Sequence, residues 1–112
     1  MTNLVSGLVR HLGRVYADGA PNLEIHIPIE KTGNLPIQIG VRTSVKLIID
    51  QIEYVAGLRS TTKNTYAWIC PDIYLSSGER FTLGRVLTDA EFSINEHVHL
   101  AVNGSMLILR HE

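Results

Sequence analysis

Apolar and polar residues alternate along several short stretches of the chain, which is typical of β-strands that bury one face. In residues 23–29, Leu and Ile side chains occupy every second position and are separated by Glu, His and Pro. Because Pro28 cannot donate a hydrogen bond to a neighbouring strand, this strand is predicted to lie at a sheet edge or at a bend. Residues 97–102 repeat the alternation, with Val, Leu and Val on the side predicted to be buried.

Two β-hairpins are predicted where apolar runs flank a short polar turn. Residues 43–49 and 52–58 enclose Asp50-Gln51, and residues 97–102 are separated from residues 106–109 by Asn103-Gly104. Asn-Gly is a strong signal for a two-residue hairpin turn, because both positions of such a turn favour residues that tolerate positive φ. Further short strands are predicted at residues 66–70 and 73–75.

Two segments have helical rather than strand-like spacing. Residues 4–15 place Leu4, Leu8, Leu12 and Val15 on one helical face, and Thr2 or Asn3 supplies the N-cap. A second helix of about two turns is predicted after the N-cap residue Thr82. Its apolar face comprises Leu83, Val86, Leu87 and Ala90.

Together these elements predict a mainly β (α+β) fold. We expect an antiparallel, seven-stranded open pseudobarrel with two short helices, one of which covers an end of the barrel.

Composition restricts the class of protein. A chain of 112 residues, of which 45% are hydrophobic, is predicted to form a single domain over residues 1–112 with one core. Its apolar runs are far shorter than a bilayer-spanning helix, and residues 4–15 lack the features of a signal peptide. The single cysteine, Cys70, excludes an internal disulfide. We therefore expect a cytoplasmic protein with no membrane association.

The formal net charge is −1 with neutral histidines, so an interaction with a polyanion would depend on how the charges are distributed. Two polar segments contain cations and no Asp or Glu: residues 31–42, here called the first arm, and residues 59–66, the second arm. Arg and Lys neutralise phosphates, and Ser, Thr, Asn and Gln hydrogen-bond to the backbone or to base edges. The predicted DNA-binding residues are Lys31, Thr32, Asn34, Gln38, Arg42, Arg59, Ser60, Thr61, Thr62, Lys63, Asn64 and Tyr66.

Catalytic and metal-binding sites have weaker support. Asp50 and Glu53 lack the Lys-bearing triplet of a metal-dependent nuclease, and no nucleophile elbow or phosphate-binding glycine motif occurs. His97 and His99 lie on one face of a predicted strand, and they would approach His26 only if its strand were adjacent. We expect no catalytic residues, no metal and no cofactor.

The order of the elements resembles that of the pseudobarrel DNA-recognition domain found in plant transcription factors of the B-three type. The same domain serves as the specificity or effector domain of some restriction endonucleases. The resemblance covers residues 23–110 and rests on two arms between strands, a short helix from Leu83, and a final hairpin through Asn103-Gly104. It implies that the two arms grip the major groove of duplex DNA and that any nuclease domain lies elsewhere in a longer parent protein.

Three functional hypotheses follow. The first is sequence-specific binding of double-stranded DNA by the two arms, as in the target-recognition domain of a restriction-modification protein. The second is a β-rich protein-interaction or homo-oligomerisation module, in which the strand at residues 23–29 pairs with a partner chain. The third is a small metal-dependent enzyme that uses His26, His97 and His99.

Overall fold

The structure is a computed structural model that describes residues 3–15, 21–28, 35–37, 40–60 and 66–112. Strands account for most of the described residues. They are β1 (Asn3–Val15), β2 (Pro21–Pro28), β3 (Thr43–Ile49), β4 (Ile52–Ser60), β5 (Tyr66–Ile69), β6 (Asp72–Tyr74), β7 (Arg80–Thr82), β8 (His97–Asn103) and β9 (Met106–His111). One helix, α1 (Leu83–Asp89), follows β7.

Seven of the strands form a closed barrel. Their order is β3-β9-β8-β1-β2-β5-β4, and pairing of β3 with β4 joins the two ends of this row. The prediction of a mainly β barrel is confirmed, but the barrel is closed rather than open. It is also not wholly antiparallel, because β3 and β9 run parallel. The short strands β6 and β7 extend from β4 outside the ring.

The prediction of a helix at residues 4–15 is wrong, because this segment is the long strand β1. It pairs with β8 through residues 3–8 and with β2 from Leu8 onward, so it has strand neighbours on both sides. Val5 and Val9 point into the barrel, whereas Leu4 is 60% exposed on the outer face. A spacing of four residues suits one face of a helix and one face of a strand equally well, and hydrogen bonding to two neighbours decides in favour of the strand.

Of the two alternatives for residues 23–29, a sheet edge or a bend at Pro28, the sheet edge is wrong. β2 lies between β1 and β5, with Pro28 at its last position, opposite Tyr66. Helix α1 packs against the first half of β2, and a Cβ atom at Gly84 would overlap the carbonyl oxygen of Pro21. The strand that we expected to pair with a partner chain is therefore already occupied on both sides.

Both predicted hairpins are confirmed, with a shift in one of them. Asp50 and Gln51 have φ values of 50° and 67°, as a type I′ turn requires at both central positions. In the second hairpin Asn103 pairs with Met106, so the two-residue turn is Gly104-Ser105 rather than Asn103-Gly104. Gly104, with φ of 60°, takes the left-handed position.

The prediction for α1 is confirmed. Thr82 is the N-cap, and its Oγ1 accepts a hydrogen bond from the Arg85 N–H at 3.4 Å. Leu83, Val86 and Leu87 are buried in the core beneath the helix. Along the described part of the chain, no helix has the length and apolarity to cross a membrane.

The core fills the barrel interior with inward-facing aliphatic side chains from all seven strands, so the barrel has no open channel. The largest fully buried side chains are Leu23, Ile25, Ile27, Leu47, Ile49, Leu58, Ile69, Ile73, Leu83, Leu87, Leu100 and Leu107.

The end of β9 is attached to the segment that follows α1. His111 stacks on Phe92 with ring centroids 3.8 Å apart, and its Nδ1 lies 2.5 Å from a carboxylate oxygen of Glu96. The other carboxylate oxygen of Glu96 accepts the Ser93 N–H at 2.8 Å. The Ser93 N–H and then His111 lower the pKa of Glu96 against a smaller opposing effect of burial, while the Glu96 carboxylate raises the pKa of His111.

Replacement of Gly84 by Ala tests the close approach of α1 to β2. The added methyl group would overlap the Pro21 carbonyl, so helix and strand must separate. We expect Gly84→Ala to lower the free energy of unfolding by about 1–3 kcal/mol, the usual cost of overpacking. Lys46, an exposed residue of β3, provides the control, since Lys46→Ala should change stability by less than about 0.5 kcal/mol. Urea denaturation measures both, and equal stability of the two variants would contradict the close packing.

The His111–Glu96 pair predicts a pH window of added stability. The raised pKa of His111 adds stability that is complete below the ordinary value of 6.5 and is lost as pH rises through the raised value. The lowered pKa of Glu96 adds stability that is complete above the ordinary value of 4.5 and is lost as pH falls through the lowered value.

We therefore expect the stability difference between the wild type and His111→Phe to be largest between about pH 4.5 and 6.5 and to narrow on both sides. Phe keeps the aromatic contact with Phe92 but removes the charge. Urea denaturation across pH 3.5–9 measures the difference, and a constant difference across this range would exclude the ion pair as its source.

Candidate nucleic-acid interface

The four strands that flank the two arms meet at one end of the barrel. Pro28 at the end of β2 pairs with Tyr66 at the start of β5, and Ser60 at the end of β4 pairs with Ala67. Thr43, the first residue of β3, pairs with Leu58 near the end of β4. Because these pairs are neighbours in one sheet, the connections from β2 to β3 and from β4 to β5 leave from one rim.

The base of the first arm is attached to the barrel and to the second arm. Leu35 is buried in the core. The N–H of Gly40, whose φ is 75°, donates to the carbonyl of Ser60 at 3.2 Å. The described parts of the two arms are therefore connected directly by a backbone hydrogen bond.

Most of the predicted DNA-binding side chains lie outside the described residues, and only four of the twelve lie within them. Those within are Arg42, Arg59, Ser60 and Tyr66. Those outside are Lys31, Thr32, Asn34, Gln38, Thr61, Thr62, Lys63 and Asn64.

Arg42 lies across the outer surface of β4. The alternation along β4 directs Gly57 and Arg59 outward, yet Gly57 is buried because the Arg42 guanidinium covers it. A Cβ atom at Gly57 would overlap this side chain, so glycine is required for Arg42 to lie there. Within the described part of the chain, neither Arg42 nor Arg59 forms an ion pair. Two guanidinium groups thus occupy neighbouring positions on one outer face, with no carboxylate partner among the residues that the structure describes.

Aromatic side chains continue this face across the next two strands. Arg59 on β4 pairs in register with Trp68 on β5, and Trp68 pairs with His26 on β2. Tyr66 stacks on the His26 ring, with centroids 4.3 Å apart and planes 17° apart, and its centroid is 5.4 Å from that of Trp68. We call this surface, comprising Arg59, Trp68, His26 and Tyr66, the aromatic row. It begins directly at the base of the second arm.

A buried carboxylate on the same face of β2 orients His26, one member of the row. Glu24 is only 6% exposed, and its carboxylate is hydrogen-bonded to Nε2 of His26. Burial of an unpaired carboxylate is costly, so this bond is what allows Glu24 to be covered. No role was predicted for Glu24 from the sequence. The signal was an acid two residues before a histidine on a strand, since such residues share a face.

Ser60 does not belong to the exposed surface. Its side chain faces the barrel interior and is 2% exposed, and its Oγ has no hydrogen-bond partner among the residues described. The alternation along β4 directs Ser60 inward and its neighbour Arg59 outward. A direct contact of the Ser60 hydroxyl with DNA is therefore excluded in this conformation.

The histidines considered for a metal site are divided by a strand. β1 lies between His26 on β2 and the two histidines of β8, and Leu8 pairs with both His26 and His97. In the described ranges, no three His, Cys, Asp or Glu side chains are grouped to hold a metal ion. Asp50 lies in a turn at the far end of the barrel, where it lines a cleft with Tyr54 and α1.

No protein-family model, no curated protein and no solved structure matches this chain.

Proposed function

We propose that the protein binds double-stranded DNA through the two arms and recognises a specific sequence there. The observation that carries this proposal is the shared rim. The arms leave from one end of the barrel, and the Gly40 N–H of the first arm bonds to the Ser60 carbonyl of the second. Two acid-free segments joined in this way are suited to contact a single ligand from two sides.

The chemistry of the outer face beneath the arms supports a polyanionic ligand. Arg42 and Arg59 form no ion pair within the described residues, so binding a phosphate there would not require breaking a pair with any of these residues. An Arg guanidinium donates two parallel hydrogen bonds to a phosphate, and it can also bond to both acceptors of a guanine edge. Arg42 and Arg59 thus place positive charge on this face, although the formal net charge of the chain is −1.

The roles of the remaining arm residues follow from their chemistry. Asn34, Gln38 and Asn64 have the two-pronged amide geometry that reads adenine in the major groove. Lys31 and Lys63 neutralise phosphates, and Thr32, Thr61 and Thr62 position the backbone. Tyr66 contributes its hydroxyl at the junction between the second arm and the aromatic row. The domain acts in this scheme as a target-recognition module of the restriction-modification type, and cleavage belongs to a nuclease domain elsewhere.

Removal of the two guanidinium groups tests the proposal. We expect Arg42→Ala combined with Arg59→Ala to weaken binding to a mixed-sequence duplex at least tenfold. The slope of log K against log salt concentration should fall by about 2, because two phosphate contacts are lost. Fluorescence anisotropy between 50 and 200 mM salt measures both quantities.

Arg110→Ala is the matched control for charge. Arg110 is an exposed arginine on β9, which runs parallel to β3 and so ends at the opposite end of the barrel. Affinity should be almost unchanged in this variant. If the double variant bound duplexes with the affinity and salt slope of the wild type, the outer face of β4 would not be part of a DNA interface.

A further inference from the structure

A concave feature lies at the end of the barrel opposite the two arms. It is a cleft of about 190 Å³ between the β3–β4 turn and helix α1. The seven residues of β3 separate this turn from the rim that carries the arms, a distance of roughly 20 Å. Neither the arms nor the aromatic row contributes a residue to its lining, so the DNA-binding proposal does not account for it.

The floor of the cleft is apolar and aromatic. Ile49 and Val86 are buried beneath it, and Tyr54 is only 5% exposed. The rings of Tyr54 and Phe81 meet edge to face, with centroids 5.9 Å apart and planes at 75°. These side chains belong to β3, β4, β7 and α1, so the packing of four elements forms the cavity.

The rim of the cleft carries two carboxylates from separate elements. Asp50 comes from the β3–β4 turn and Asp89 from the last turn of α1. Burial raises the pKa of the Tyr54 phenol, and the charges of Asp50 and Asp89 raise it further. Both carboxylates therefore lie close enough to the Tyr54 phenol to act on it, and both line the cleft.

The positive charge in the lining does not balance these acids. Arg85 is the one cation among the lining residues, against two acids, so the formal charge of the lining is −1. Asp89 is also placed unfavourably for the helix, because the C-terminal end of a helix carries partial negative charge and favours cations. α1 has no basic residue in its last turn. Negative potential thus accumulates at the mouth of an apolar cleft.

Asp50 has a structural role of its own, since Asp tolerates the positive φ that the turn requires. Asp89 lies one turn after Arg85 on α1, the spacing at which opposite charges on a helix attract each other. Arg85 can offset only one of the two carboxylates of the lining, so a net negative charge remains beside the aromatic floor.

We propose that this cleft binds a primary ammonium group carried on an aliphatic stem. The stem occupies the apolar floor formed by Ile49, Val86 and Phe81. The ammonium group lies between the carboxylates of Asp50 and Asp89, near the aromatic rings that attract cations. This inference is independent of DNA binding, because it uses other residues at the opposite end of the barrel.

Titration with butylamine at pH 7, followed by the backbone amide signals of isotope-labelled protein, tests the site. We expect saturable shifts centred on residues 49–54 and 85–90. Neutral 1-butanol has the same stem without the charge, and it should bind at least tenfold more weakly. Equal binding of butylamine and 1-butanol would overturn the proposal, as would the absence of saturable shifts with butylamine.

Asp50→Asn combined with Asp89→Asn should weaken butylamine binding at least tenfold, because Asn keeps the shape of the side chain and removes its charge. Asp72→Asn, at a half-exposed acid that is paired with Arg80, serves as the matched control and should leave binding unchanged. If the double variant does not fold, Asp50→Asn alone is tested and should weaken binding at least threefold. Unchanged binding in the folded double variant, or in that single variant, would remove the carboxylates from the site.

Two further titrations identify the source of the ammonium group and separate this site from the DNA interface. Tighter binding of N-acetyl-lysine methylamide than of butylamine assigns the cleft to a lysine side chain of a peptide, and the reverse order assigns it to free amines. The Arg42→Ala, Arg59→Ala variant should bind butylamine as the wild type does. Loss of butylamine binding in that variant would contradict the independence of the two sites.

Discussion

Pairing of β3 with both β4 and β9 closes the barrel, and the rest of the structure depends on this closure. Without the β3–β4 pairing, the strands would form an open sheet with β3 at one edge. The unpaired backbone groups of edge strands invite association with other chains. One closing contact is local and the other is long-range: β3 joins β4 through a hairpin but joins β9 across more than half of the chain. Closure also produces an enclosed interior, which aliphatic side chains from every strand of the ring fill.

A closed barrel has two ends, and its connections are divided between them. The connections from β2 to β3 and from β4 to β5 leave from one rim, whereas the β3–β4 turn and the C-terminal end of α1 meet at the other. The first rim combines guanidinium groups with aromatic rings on the adjacent outer surface. The second combines carboxylates with an apolar cleft.

A glycine and a buried carboxylate determine how side chains are arranged on the outer face next to the first rim. Gly57 permits Arg42 to lie flat across β4, since any larger residue would displace the guanidinium. Glu24 is hydrogen-bonded to His26 on the same face of β2, and Tyr66 stacks on the His26 ring. Contacts within the barrel wall thus hold the side chains at the base of the arms in fixed positions, and a surface arranged in this way would need little reordering if it bound the proposed ligand. Among the described residues, the Ser60 hydroxyl is the one buried polar side-chain group without a hydrogen-bond partner.

The sequence by itself determined those elements that depend only on residues close to one another along the chain. The turn at Asp50-Gln51, the capped helix after Thr82 and the alternating strands were all predictable, because turn chemistry, capping and periodicity depend on neighbouring residues. The polar, acid-free composition of the two arms was equally visible along the chain, and it favoured a nucleic-acid ligand. For residues 4–15 the pattern was ambiguous, since a spacing of four fits both helix and strand.

Only the tertiary structure decided questions that depend on distant neighbours. Pairing with β2 and β8 made residues 4–15 a strand, and pairing with β1 and β5 moved β2 from an edge to the interior of the sheet. Burial of Glu24, the covering of Gly57 by Arg42, and the cleft between Asp50 and Asp89 have no local signature. Each arises because barrel closure brings together side chains that are remote along the chain, and only then is it determined which polar groups are buried and which remain free to bind.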